Sequence, residues 1–356
     1  MTAPARWKTS VGIWAFGATS TRFVPGGYHP EAQAASTVEK VKLAVEGLGP
    51  LVDGYEFHYE TEITDGNAHA IQQALGPDHD IYTICYGLVP NPTFKYGSLT
   101  NPEASLRREA VAHMKRGIDL AANLGAHYIY WPGNEGYNYP FQRDYARTWR
   151  WFLEGIQEAV EHANQKNVTF LLEHKNSEPA MQILMRNVGT TLYIVKKIKE
   201  MGTDTRNLKI NMDWQHLIMN NEPLGEHAAL LLSEGLMGHQ HANSGWGSFD
   251  DDNMAGTQFI EQQIDIAREL LKGGYGANGE RVGFDLFPYT EDAVEAVKRS
   301  VIQFEYIRTI AERINDAELE AAKAKADAVG AYRAVWRALG LTEEFERQVY
   351  EKYSKR

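Results

Sequence analysis

The sequence predicts an α/β fold, a (β/α)8 barrel with a C-terminal helical extension, and three observations carry that expectation. Eight short runs rich in β-branched and aromatic residues recur along the chain. Segments with apolar residues at helical spacing lie between them, and the connections are too long for hairpins. Alternating strand and helix at this count describes parallel strands joined by crossover helices and closed on themselves.

In chain order the candidate strands are 11–16 (VGIWAF), 54–59 (GYEFHY), 81–87 (IYTICYG), 126–132 (AHYIYWP), 168–174 (VTFLLEH), 208–214 (LKINMDW), 236–243 (LMGHQHAN) and 281–288 (RVGFDLFP). The clearest helix is 103–124, where Leu106, Ala110, Met114, Ile118 and Ala121 share one face. Further helical periods cover 143–165, 190–201, 256–272 and 290–313. A doubly wound open sheet is the alternative, but no G-x-G-x-x-G follows the first strand. The barrel is expected to fill residues 1–313 as one catalytic domain. Residues 314–356 differ, being rich in Ala, Glu and Lys, and read as a helical tail. Its stripe of Val329, Tyr332, Val335, Trp336 and Leu339 needs cover, expected from a neighbouring subunit of a homodimer or homotetramer, with packing on its own barrel as the alternative.

Composition narrows the function. With 36 basic against 47 acidic residues, the net charge of -11 repels polyanions and argues against nucleic-acid binding. One cysteine, Cys85, permits neither an internal disulfide nor a Cys-rich zinc site, and fits a reducing, cytoplasmic home. No apolar run approaches the roughly 18 residues of a membrane span, and MTAPARWKTS lacks the apolar core of a secretory signal.

Catalysis in such barrels sits at the C-terminal strand ends. There the chain places His58 on the second strand, Glu173 with Lys175 on the fifth, Asp213 with His216 on the sixth, His241 on the seventh and Asp285 on the eighth. A loop after the seventh strand, SFDDDN, adds Asp250, Asp251 and Asp252. Three carboxylates and an imidazole at four successive strand ends suit a hard or borderline divalent ion such as Mg²⁺, Mn²⁺ or Co²⁺. A lone strand-end Asp commonly caps a helix and a lone His is commonly packed. Their joint occurrence favours a metal, because inward carboxylates without a cation repel one another.

At these residues the sequence resembles the xylose isomerase and L-rhamnose isomerase group of metal-dependent sugar isomerases. The resemblance runs from about residue 11 to residue 300 through NPTFKYGSLTNPEASLRREAV, YIYWPGNEGY, LLEHKNSEP, NMDWQHL, GHQHANSGWGSFDDDN and GFDLFPYTED, in the family's order. It implies two metal ions per chain, a first on Glu173, Asp213, His241 and Asp285 and a second on Asp213, His216, Asp250 and Asp252. The Glu, Asp, His, Asp set is similar to rhamnose isomerases, whereas the segments around Trp131 and Phe94 look more like xylose isomerases. In xylose isomerases the residue equivalent to His58 is followed at once by Asp residues that orient it; here HYETE offers Glu60 and Glu62 instead.

The expected activity is aldose-ketose isomerisation by a hydride shift between C1 and C2. With every strand-end carboxylate assigned to metal, no free base remains for an enediol route, while Lys175 and the ions can polarise O1 and O2. His58 and Lys175 are the expected catalytic residues, with Trp14, Phe94 and Trp131 as substrate-binding walls. Glu135 is expected either to cross to a neighbouring site or to cap a turn. The alternatives are a single-metal sugar epimerase, lyase or deglycosidase subunit abstracting a proton beside a carbonyl, and a non-catalytic sugar-binding barrel.

Overall fold

The computed structural model describes residues 6–354. Among the described residues ten strands occur in chain order: β1 (Lys8–Gly12), β2 (Gly54–His58), β3 (Asp80–Cys85), β4 (His127–Tyr130), β5 (Gly136–Tyr137), β6 (Phe170–Glu173), β7 (Gln182–Ile183), β8 (Leu208–Asp213), β9 (Met237–Ala242) and β10 (Arg281–Phe284). Eight of them close a parallel barrel in the order β1, β10, β9, β8, β6, β4, β3, β2, and β5 pairs with β7 as a separate antiparallel ribbon. The (β/α)8 architecture expected from the sequence is therefore the one observed.

The helices are α1 (Thr37–Leu48), α2 (Ala68–Leu75), α3 (Ala104–Leu124), α4 (Tyr145–Lys166), α5 (Val188–Glu200), α6 (Trp214–Met219), α7 (Leu224–Ser233), α8 (Ile260–Lys272), α9 (Ala293–Arg313), α10 (Asp316–Lys323), α11 (Ala328–Ala338) and α12 (Glu343–Ser354). Their starts follow local chemistry: Ser36 and Glu39 form a reciprocal capping box on α1, and Asp144 and Asp292 accept from the first-turn amides of α4 and α9. Each barrel helix turns an apolar stripe to the wall. On α4 that stripe is Phe152, Ile156, Ala159, Val160 and Ala163, all fully buried. A side chain the size of Phe152 contributes about 1.5–3 kcal/mol by such burial. Among the described residues no helix is long and apolar enough to cross a membrane.

The first strand differs from its expected span. It runs Lys8–Gly12, and Ile13–Phe16 form a 3-10 turn. The cause is Trp14, whose ring folds back over Gly12, where a Cβ would lie 2.1 Å from a ring carbon. Trp14 thereby turns into the barrel mouth. Below it Cys85, Ile129 and Leu171 form a small apolar layer inside the barrel.

The C-terminal helices only partly leave their stripe bare. Leu319, Ala322 and Ala334 are buried and Val335 and Leu339 pack against the core, while Val329, Tyr332 and Trp336 stay exposed.

Candidate active site and metal centre

Successive strand residues face opposite sides, so inward positions recur every second residue. On β2 these are Glu56 and His58, on β9 His239 and His241, on β8 Asn211 and Asp213. Register then aligns the upper layer: Asp213 lies opposite His241, Glu173 opposite Asn211 and His58 opposite Cys85. Asp285 follows the last residue of β10. One polar atom each from Glu173, Asp213, His241 and Asp285 falls within 4.8 Å of the others. The His241 Nδ1 is 3.2 Å from Asp285 Oδ2, 3.5 Å from Glu173 Oε2 and 3.7 Å from Asp213 Oδ2, with no directed hydrogen bond to any of them.

These groups fit a divalent cation. The donors are three carboxylates and an imidazole whose buried nitrogen has no hydrogen-bond partner, the chemistry of a mixed oxygen and nitrogen metal site. Burial pushes Glu173 up to about 7 against the pull of His241 and His216. Burial, then Asp250, Asp285 and Asp213, push Asp252 well above the carboxylate range. A cation among them relieves this crowding. Asp213 also caps a helix, since its Oδ1 accepts from the His216 amide at 3.0 Å at the start of α6. Asn243, which lies inside the GHQHANSGWGSFDDDN segment but was not among the expected site residues, donates to both Asp213 oxygens at 3.2 and 3.1 Å and to Asp252 at 2.9 Å.

The groups expected to hold a second ion are arranged differently. Asp250 forms an ion pair with Lys175 and lies 3.2 Å from His216 Nε2. Burial works to raise the Asp250 carboxyl, but Lys175 and His216 outweigh it and hold the group below the usual range. Asp251 turns away from the cavity to Gln215 Nε2 (3.3 Å) and the Trp246 amide.

A cavity opens above the acids, lined by Trp14, His58, Cys85, Trp131, Glu173, Lys175, His216, His241, Asp250, Asp252 and Asp285. The Trp14 indole donates to Asp285 Oδ1 at 2.6 Å and its ring lies 4.6 Å from the His58 ring. Trp131 donates to the Tyr86 carbonyl at 2.9 Å and lies 5.5 Å beneath the Lys175 ammonium. His58 is oriented by Glu62, at 3.1 Å from Nδ1 and 2.8 Å from its backbone amide. Burial opposes charging His58, but Glu62 outweighs it and raises its pKa. Glu60 instead pairs with Arg116 and lies 3.3 Å from His113 Nδ1.

One expectation needs correction. Phe94 is not part of the cavity wall: the Pro92–Phe94 turn, capped by Asn91, folds it into the hydrophobic core. Of the two expectations for Glu135, the structure shows the capping of a turn. Fully buried, Glu135 accepts from the amides of Ser98, Leu99 and Thr100 and from Tyr130, and so clasps the loop after β3. Cys85 at the cavity floor, Glu56 beneath His241, and Asn243 were not foreseen as parts of the site. Glu56 looks, in sequence, like ordinary polar alternation within a strand, and Asn243 sits in the seventh-strand segment beside the more conspicuous His241 and Asp residues.

A closed parallel barrel with a carboxylate and imidazole cluster at its strand ends defines a (β/α)8 barrel whose residues could hold a metal ion. The chain belongs to the xylose isomerase-like TIM barrel family, which it matches over residues 46–255. It is 27% identical over 194 residues to xylose isomerase from Bacillus subtilis, an alignment that covers 53% of this chain and 42% of that protein. Xylose isomerase from Phocaeicola vulgatus is 26% identical over 303 residues, covering 78% of this chain and 66% of the relative. Among solved structures, L-ribulose 3-epimerase superposes with a TM-score of 0.63 at 15% identity, covering 91% of this chain and 98% of the other. D-psicose 3-epimerase from Clostridium cellulolyticum H10 gives 0.61 at 16% identity, covering 85% and 99%. These superpositions share the fold.

Proposed function

We propose that the chain is a divalent-metal-dependent sugar isomerase that moves a hydrogen between C1 and C2, interconverting an aldose and a ketose. One arrangement supports this reading: His58 held by Glu62, the buried Lys175 ammonium, and Glu173, His241 and Asp285 of the ligand set line a single cavity walled by two tryptophans. Glu173, Asp213, His241 and Asp285 would hold the ion, which when bound supplies Lewis-acid polarisation of neighbouring sugar oxygens. Glu62 holds the His58 Nδ1 and leaves Nε2 to pass a proton at the sugar ring oxygen, opening the ring. Lys175 presents positive charge to O1 of the open chain. Trp14 and Trp131 exclude bulk water around the transferring hydrogen.

A second reading, a single-ion sugar epimerase working by proton abstraction, is favoured by one observation. The ligand group of the cavity is one set, while Asp250 and Asp252 of the expected second set are engaged by Lys175, His216 and Asn243. Incubating pentoses and hexoses with the protein and Mn²⁺, Mg²⁺ or Co²⁺ in ²H₂O separates the two. Aldose-ketose products with little deuterium at C1 or C2 support the isomerase; epimeric products with extensive deuterium support the epimerase. The exposed Val329, Tyr332 and Trp336 are assigned to contact between copies, and sedimentation showing only monomer across concentrations would contradict that assignment.

A further inference from the structure

Beneath the ligand set, inside the barrel, Glu56 is fully buried on β2. Its Oε1 accepts from the Ser10 hydroxyl at 2.7 Å and faces His239 Nε2 at 3.0 Å. Its Oε2 accepts from the Thr83 hydroxyl at 2.6 Å and faces His241 Nε2 at 3.2 Å. The four groups converge from β1, β3 and β9, and Gly283 on β10 completes the enclosure, since a Cβ there would lie 2.5 Å from Glu56 Oε1.

A carboxylate has about four acceptor positions, and here each is met by a hydroxyl or an imidazole at hydrogen-bond length. Glu56, His239 and His241 are also close enough together to suggest an ion of their own. With the carboxylate's acceptor positions already filled, hydrogen bonding accounts for the cluster. The consequence falls on His241. Since Oε2 only accepts, Nε2 carries the proton, and in a neutral imidazole the lone pair then lies on Nδ1. That is the nitrogen aimed at Asp285, Glu173 and Asp213.

We propose that Glu56 is a positioning residue which, by holding His241 through Nε2, fixes its ring and its tautomer so that Nδ1 is presented as the metal ligand. The inference rests on the metal site proposed above. It assigns Glu56 no contact with substrate. Partners of this kind typically govern metal affinity by about 10- to 100-fold.

The test uses the full chain, stripped of metal and titrated with Mn²⁺, as wild type and as Glu56→Gln. Folding is followed by circular dichroism. Folded Glu56→Gln is expected to bind Mn²⁺ about 10- to 100-fold more weakly, a change that a purely structural role would not produce in the folded fraction. Affinity within about threefold of wild type would overturn the proposal. Should Glu56→Gln not fold, the wild type decides alone: with ¹⁵N-histidine and Cd²⁺ bound, His241 should show the metal on Nδ1 and a proton on Nε2. Metal on Nε2 would overturn it. A wild type that binds neither Mn²⁺ nor Cd²⁺ would instead refute the metal site itself.

Discussion

Lys175→Met probes the cavity's one buried ammonium. Lys175 and Asp250 form an ion pair with side chains 8% and 15% exposed, so both charges are largely removed from water. At an effective dielectric of about 20 and a separation of about 4 Å, such a pair is worth roughly 4 kcal/mol of attraction. Deleting one member leaves the other buried and unpaired, at a cost of about 3–5 kcal/mol. His216 Nε2, 3.2 Å from Asp250, remains as a partner and places the expected loss near the lower end of that range. Denaturant unfolding of wild type, Lys175→Met, Asp250→Asn and the double variant gives the cycle. The double variant should recover most of the stability lost by Lys175→Met, with a coupling of about 2 kcal/mol or more. Turnover should nevertheless stay at least about 100-fold down in both variants lacking Lys175, since polarisation of O1 is lost. Strict additivity would refute the ion pair. Turnover within tenfold of wild type would refute the role of Lys175 in the reaction.

Glu62 raises the pKa of His58 against the effect of burial, so Glu62→Gln should move the limb of the kcat/KM profile controlled by His58 to lower pH. The rate at neutral pH should fall about 100-fold; an unshifted profile would contradict the orienting role. Burial pushes His113 and His127 down to about 4. Both are neutral in the folded protein and titrate near 6.5 unfolded, so their stabilisation is full above about 6.5 and is lost as pH falls. At pH 5.5 the loss is about 1.4 kcal/mol for each, and His127→Gln should flatten the acid decline seen by denaturant unfolding. Gly283→Ala puts a methyl 2.5 Å from Glu56 Oε1 and 2.7 Å from His239 Nε2. It should cost about 1–3 kcal/mol in the same assay, and a neutral effect would argue against tight enclosure of Glu56.

Much of the barrel was legible because strands buried on both faces read as apolar runs and the chemistry of such barrels sits at strand ends. Glu173, Asp213, His241 and Asp285 could be chosen together, since each lies within one residue of the C-terminal end of a strand of the expected order. The turn at Trp14 was hidden, because VGIWAF has strand propensity throughout and only the ring packing over Gly12 ends the strand. Phe94 and Trp131 are both aromatics in loops, and which of them faces the cavity depends on the capped turn at Asn91. Glu56 gives no local signal: its meaning comes from Ser10, Thr83, His239 and His241, which only barrel closure brings together. Glu62 is four residues beyond His58, a spacing whose use depends on the turn after β2.

Glu173, Asp213, His241 and Asp285 are proposed to hold the divalent ion on which the proposed sugar conversion depends. The most direct test is a parallel titration of bound metal and turnover in chelator-stripped wild type and Asp285→Asn. Turnover in the wild type should be absent at the start and rise with the first ion bound per chain, while folded Asp285→Asn should lose both binding and activity. Full turnover by the stripped wild type, or unaltered binding and turnover by Asp285→Asn, would contradict it.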